Sequence, residues 1–579
     1  MKDQELTRFN RNFFESGKPI SYIGSGSLGG KAQGLAFIDK ILENIQAKEF
    51  PGFEINIPRM IVLRTDIFDS FMQQNKLSEI AFSDASDERI GLAFQKADLP
   101  FEILGDLRTL ISNIKQPLAI RSSSMLEDAM YEPFAGIYGT KMTPNNQHDI
   151  DTRFRKLTEA IKFVYASTYF RAAKDYMKAT RHKTEDEKMA VIIQEVVGER
   201  HDERFYPEVS GVARSYNYYP VGHAIPEEGV VNLALGMGKT IVDGSISWAY
   251  SPSYPKTNPP FKSMGDMLKQ TQISFWAINM GKPPEYNPIQ EAEYLVEASL
   301  PDAESDGTLK HLVSTYDASS DRVWPGISGK GPRILTFSPI LTLDTIMLND
   351  LTKKLLKNCE EAVGAPVEIE FAVTLANEGE YPYRFGFLQV RPMVVSSEEV
   401  NMVKEELTGD NILAASEKVL GNGIIDSISD IVFTDPEAFQ TRFSWNIATE
   451  IGAMNSKLLE ENRPYLLIGF GRWGTSDPTA GIPVDWGQVS GAKVIIEATM
   501  ENVFVEMSQG SHFFHNVTGF KVHYFSIPFA SIHGVDWDWL AEQNLIEEGK
   551  YVKHVRLSNP LQIKVDGRSG MGVIKKSNP

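Results

Sequence analysis

The run Ile23-Gly24-Ser25-Gly26-Ser27-Leu28-Gly29-Gly30-Lys31 places four glycines and a lysine ahead of an apolar-periodic stretch. Such a turn at a helix start offers bare backbone N–H groups and one mobile cation, the donor set a polyphosphate needs. A P-loop would require glycine at position 25 and Ser or Thr at position 32, where Ser25 and Ala32 stand. Gly24, Gly26 and Gly29 satisfy G-x-G-x-x-G, the dinucleotide fingerprint, with only a short apolar stub ahead of them. The plain alternative is a glycine-rich turn carrying a solvated lysine.

Two further stretches carry chemistry. Leu118-Ala119-Ile120 delivers Arg121 into Ser122-Ser123-Ser124, a fork of donors suited to phosphate oxygens; the local alternative pairs Arg121 with Glu127 or Asp128. Val367-Glu368-Ile369-Glu370-Phe371 alternates carboxylate and apolar side chains, so Glu368 and Glu370 share one strand face. A second strand, residues 383–392, follows after a polar turn and is expected to pair with the first as a hairpin. Two carboxylates with Gln389 and Arg391 then make either a Mg²⁺ and phosphate cage or an exposed face with a cross-strand ion pair. Residues 189–197, from Met189 through Gln194, Glu195 and Val197, read locally as a core strand with a polar end.

The elements that must hold these groups read as alternating helix and strand. Leu35, Ile38, Ile41, Leu42 and Ile45 predict a helix over 33–47, residues 57–63 a buried strand, 65–113 mostly helix, and 150–180 one long helix. Residues 252–333, rich in Pro, Gly and charge, read as a surface excursion. The stretch 393–412 reads as a linker or connecting helix, and strands at 465–470 and 493–497 announce a second α/β unit. The tail from 551 to 574 reads as strands joined at Asp566-Gly567-Arg568-Ser569-Gly570.

At 579 residues the chain exceeds one core, and 42% hydrophobic with 23% charged residues is an ordinary globular balance. A net charge of −18 argues against nucleic acid and anionic membrane surfaces. The single cysteine, Cys359, allows no intrachain disulfide and no thiolate cluster, which fits a cytoplasmic protein, and no apolar run reaches membrane-spanning length.

In order, these stretches resemble the nucleotide-binding domain of the pyruvate phosphate dikinase and phosphoenolpyruvate synthase family, an ATP-grasp fold. The residues that carry the resemblance are Gly29-Gly30-Lys31, Arg121-Ser122-Ser123 with Glu127-Asp128, Phe134-Ala135-Gly136, Ser210-Gly211-Val212, Ile369-Glu370 and Gln389-Val390-Arg391-Pro392. The turn between the last two strands is longer than the family's. The resemblance implies an α/β (α+β) architecture: an ATP-grasp domain over 1–395 with lobes at about 1–188 and 189–395, a linker over 396–412, and a smaller α/β domain over 413–579.

It further implies that Gly29, Gly30, Lys31, Arg121 and Ser122 hold ATP phosphates and that Gln194, Glu195 and Val197 line the adenine hinge. Glu370 and Gln389 would ligate Mg²⁺ with Glu368 in support, and Arg391 would clamp the terminal phosphates.

Family members pass a phosphoryl group to a carrier histidine and on to a pyruvate-binding barrel. Too few residues follow Arg391 for such a barrel, which takes about 250 residues, so no TIM barrel is expected and the acceptor is unknown. A partner protein could supply it. Gly510-Ser511-His512 matches the start of the carrier pattern while Phe513-Phe514 does not, leaving His512 as a phosphohistidine candidate or a packed core residue. The expected function is an ATP-dependent phosphotransferase; the alternative is a non-catalytic ATP-binding regulatory or scaffold protein.

Overall fold

A computed structural model describes residues 6–42, 45, 49–127, 134, 136–178, 180, 182–259, 261, 263–375, 382–395, 400–499, 511–529, 531 and 533–576. Asp128, Ala135, Gly510 and part of the expected linker lie outside them. Among the described residues the chain forms a mixed α/β structure with no closed barrel.

Two six-stranded sheets face each other across the N-terminal part. The first runs in the order Thr7–Arg8, Ile20–Ile23, Met60–Leu63, Met189–Glu195, Leu118–Ser124, Thr140–Thr143. The second runs Trp248–Tyr250, Val230–Ala234, Val209–Arg214, Val367–Thr374, Tyr383–Pro392, Phe53–Asn56. The expected lobe boundary at 188 is therefore displaced. Met189–Glu195 pairs antiparallel with both Met60–Leu63 and Leu118–Ser124 inside the first sheet, while Phe53–Asn56 crosses to the edge of the second. Each lobe lends the other a strand.

The apolar stub before the glycines is a strand, Ile20–Ile23, so the local form is strand, glycine turn, helix. That helix, Gly30–Leu42, buries Ala32, Leu35 and Ile38 between the sheets, and Lys40 in its last turn suits the negative end of its dipole. The expected long helix over 150–180 divides into Ile150–Ser167 and Arg171–Lys178. A turn intervenes in which the amide of Tyr169 reaches back to the carbonyl of Ala166.

Residues 252–333 are not a surface excursion. Ser274–Asn279 and Leu295–Ser299 join two short strands at 199–206 in a four-stranded sheet, and Val313–Asp317 centres a three-stranded one. Phe275, Ala277, Ile278 and Val313 are buried there. Strands this short, separated by Pro and Gly turns, leave too few residues to display a period of two.

The C-terminal part holds a seven-stranded sheet whose centre, His523–Ile527, Ala492–Ala498, Tyr465–Phe470 and Asp430–Thr434, is parallel. The expected tail strands are Val552–Arg556, Gln562–Asp566 and Met571–Lys575. Asp430, at the start of an interior strand of this sheet, accepts from Arg463 and Arg556 and is paired with His554. Burial alone would push its carboxyl up, but these three partners outweigh burial and hold it at about 2.

The apolar interior of the first lobe runs unbroken into the C-terminal part. A row of rings marks the seam: Phe134 lies 4.2 Å from Tyr176, Tyr176 5.3 Å from Phe520, and Phe520 5.1 Å from Trp486. Each such contact contributes roughly 0.5–1.5 kcal/mol beyond its buried area.

Candidate nucleotide site

The glycine turn divides into two halves with different work. The amide and hydroxyl of Ser25 donate to the two carboxylate oxygens of Asp66, the amide of Ser27 donates to Thr65 Oγ1, and Arg64 donates to the carbonyl of Gly26. Those donors are spent on the fold. Gly29 and Gly30 instead lie against the end of the arginine strand: a Cβ would stand 1.6 Å from the carbonyl oxygen of Ser123 at Gly29, and 2.1 Å from that of Glu127 at Gly30. Only glycine permits that approach, and Gly29 also needs its positive φ of 76°.

The approach brings Lys31 to Glu127. Lys31 Nζ donates to Glu127 Oε1 at 2.7 Å, and Ser122 Oγ donates to the same oxygen at 2.8 Å. The amide of Ser124 donates to Glu127 Oε2 at 2.9 Å. Glu187 lies behind Glu127, and burial, with hydrogen bonding from Ser124 opposing and the Glu127 charge adding, pushes its carboxyl up to about 7.

Arg121, adjacent to Ser122 on the strand, projects to the opposite face. There it donates to Gln194 Oε1 at 3.3 Å, to the carbonyl of Leu388 at 3.0 Å and to Gln389 Oε1 at 2.8 Å. The hairpin forms as expected, with Glu368 opposite Arg391 and Glu370 opposite Gln389. Its longer turn leaves this register intact. The ladder instead slips beside Glu370, and the bulge passes Leu388 by, which frees its carbonyl for Arg121.

The two carboxylates of that strand face differ. Glu370 keeps long contacts, 3.8 Å to Arg121 and 3.7 Å to Arg391. Glu368 is fully buried between two guanidiniums, Oε1 accepting from Arg391 Nε at 2.6 Å and Oε2 from Arg214 Nε at 2.5 Å. Burial would raise its pKa, but the two cations outweigh burial and hold it below the usual range. Each Glu368 oxygen thus accepts from an arginine, one from Arg391 and one from Arg214.

At the expected hinge, Gln194 is buried and also donates to the carbonyl of Pro58. Glu195 pairs with Arg59 at 3.6 Å. Val197 packs over Gly386, where a Cβ would stand 2.4 Å from its methyl.

His512 opens the helix His512–Gly519, capped by Ser511, whose hydroxyl accepts from the amide of Phe514. Its ring lies on Gly136, where a Cβ would stand 2.3 Å from Nδ1, so the glycine of the Phe-Ala-Gly turn admits the histidine. Burial first, then Arg391 and Lys31, press the His512 imidazole well below its ordinary pKa; burial, Arg391 and Arg214 do the same to His515. In both, burial and the neighbouring cations favour the neutral imidazole.

Sequence reasoning missed Arg214 and Phe514 as parts of this site. Ser210-Gly211-Val212 was legible, and strand alternation from Val212 puts Arg214 on the carboxylate face. Nothing local signalled Phe514, because its place depends on packing between distant segments.

A sequence model described as "Pyruvate phosphate dikinase, AMP/ATP-binding domain" matches residues 25–410. The chain belongs to this family. The AMP/ATP-binding domain spans every residue above except those of the His512 helix, and the match begins within the glycine turn, ahead of Gly29 and Gly30. Comparison with curated proteins gives no match. Among the described residues no helix is long and apolar enough to cross a membrane.

Proposed function

We propose that the protein is an ATP-dependent phosphotransferase whose phosphoryl acceptor is His512 or a molecule that reaches the same point. The observation that carries the reading is the half-buried His512 ring seated on Gly136 of the AMP/ATP-binding domain, near enough to Lys31 and Arg391 for both cations to depress its pKa. A neutral imidazole keeps its lone pair for attack on phosphorus.

Gln194, Glu195 and Val197 would hold adenine at the hinge. Lys31, Arg121 and Arg391 would hold the phosphates, Arg121 exchanging Gln389 for a phosphate oxygen. Glu370 and Gln389, one carboxylate and one amide oxygen on paired residues, fit Mg²⁺, which when bound offsets phosphate charge and takes its other ligands from nucleotide and water. His512 forms an N–P bond as the P–O bond to the departing nucleotide breaks. Lys31 and Arg391 stabilise the charge that builds on the leaving oxygen, and the other ring nitrogen gives its proton to solvent.

A second reading, a nucleotide-binding regulatory or scaffold protein without turnover, draws support from the protein partners the cations already have: Lys31 with Glu127 and Arg391 with Glu368. Incubation with Mg·ATP labelled at the β- or γ-phosphate separates the two. Nucleotide release together with an acid-labile protein label, absent from His512→Ala, is expected. Tight binding with unchanged ATP would favour the scaffold.

A further inference from the structure

Arg214, Glu368 and Arg391 stand directly opposite one another on three adjacent antiparallel strands, Arg214 across from Glu368 and Glu368 across from Arg391. The row is buried, with Arg214 2%, Glu368 1% and Arg391 3% exposed. Two cations share one carboxylate, so neither guanidinium can shift without changing the other's hold on Glu368. Arg214 also lies over the ring of Phe514, 5.1 Å from its guanidinium carbon to the centroid. Phe514 lies in the first turn of the His512 helix, and its ring centroid is 5.4 Å from that of Tyr218. A cation over a desolvated aromatic face is an attraction of the stronger sort.

We infer that Arg214 is a positioning residue that couples the two halves of the site: through Glu368 it fixes the phosphate clamp Arg391, and through Phe514 it ties that setting to the docked His512 helix. Nucleotide that draws Arg391 toward its phosphates loosens Glu368 from one side and strengthens its pairing with Arg214 on the other. Arg214 then holds Phe514, and with it His512, in register with the clamp. The inference rests on the phosphotransferase reading for its purpose, though not for its geometry.

The test uses the full chain with Arg214→Met, which removes the charge, and Arg214→Lys, which keeps it without the planar fork. Calorimetry gives Kd for ATP and for adenosine, and hydrogen exchange reports residues 512–519. In Arg214→Met, ATP is expected to bind at least tenfold more weakly with adenosine affinity unchanged, while exchange in 512–519 rises at least tenfold; Arg214→Lys should fall between. Phe514→Leu should move both readouts in the same direction, and the Arg214→Met/Phe514→Leu double variant should be less impaired than the product of the single effects.

Folded Arg214→Met that binds ATP within twofold of wild type, or that loses ATP affinity with exchange in 512–519 unchanged, overturns the coupling. If Arg214→Met does not fold, the same criteria apply to Arg214→Lys with Phe514→Leu. Failure of the wild-type chain to bind ATP overturns the function proposed above instead, and unchanged exchange in 512–519 of the variants would still overturn this inference.

Discussion

The two carboxylate-held cations of the cleft are built for different degrees of freedom. At the glycine end, Lys31 is 13% exposed, and its partner Glu127 keeps two neutral donors, Ser122 and the Ser124 amide, if the lysine leaves. At the hairpin end, Arg391 is 3% exposed and both oxygens of Glu368 accept from guanidiniums. Buried charges left without a partner are costly, whereas a carboxylate with amide and hydroxyl donors is satisfied without a counter-ion. One end is free to exchange its carboxylate for phosphate, and the other is a frame in which Arg391, Glu368 and Arg214 shift only together.

The largest expected effect breaks the frame. Glu368→Gln leaves the Arg214 and Arg391 guanidiniums facing each other across a neutral amide, with Glu370 3.7 Å from Arg391 as the nearby carboxylate, and should destabilise the fold by about 3–5 kcal/mol, read by urea denaturation. A loss comparable to an exposed pair would put the frame elsewhere. Next, Lys31→Met should leave stability nearly unchanged but lower ATP turnover by about 10²-fold, the scale of one lost charge-stabilising donor, measured by nucleotide analysis. Unaltered turnover would return the glycine turn to a structural role.

A third prediction uses pH to test the burial behind the glycine end. Glu187 behind Glu127 has its carboxyl raised from 4.5 to about 7, so between those values the folded state binds more protons than the unfolded state. Stability should fall as pH rises through that window, by on the order of 2 kcal/mol, and Glu187→Gln should flatten the slope in denaturation midpoints taken at pH 5, 6 and 7.5. Asp430, held at about 2 from 3.8, acts in the opposite sense, losing its contribution only as pH falls below the ordinary value. The smallest effect belongs to Glu127→Gln, about 1 kcal/mol of stability, because the amide oxygen still accepts from Ser122 and Lys31. A loss as large as that of Glu368→Gln would erase the distinction between the two ends.

The sequence disclosed the polar residues of the cleft better than their division of labour. Alternation put Glu368 and Glu370 on one face correctly, since a period of two is a local property of a strand. It could not distinguish them, because what buries Glu368 is Arg214 from one neighbouring strand and Arg391 from the other, with Phe514 over Arg214. The glycine run was legible as a turn, but the capture of Ser25 and Ser27 by Asp66 and Thr65 is a tertiary contact with no local mark. His512 was visible as a histidine behind small residues, and its contact with Gly136 was not, for the same reason. The expected surface excursion at 252–333 failed because its strands are too short to show a period.

The ring seam also bears on synthesis. Residues 134 and 176 leave the ribosome long before residues 486 and 520, yet their side chains share one interior. For that interval the first lobe must carry exposed aromatic rings that only the end of the chain can cover. Expressed as a fragment ending near 412, the AMP/ATP-binding domain should therefore collect in the insoluble fraction, and supplying residues 413–579 as a separate chain during expression should return it to solution.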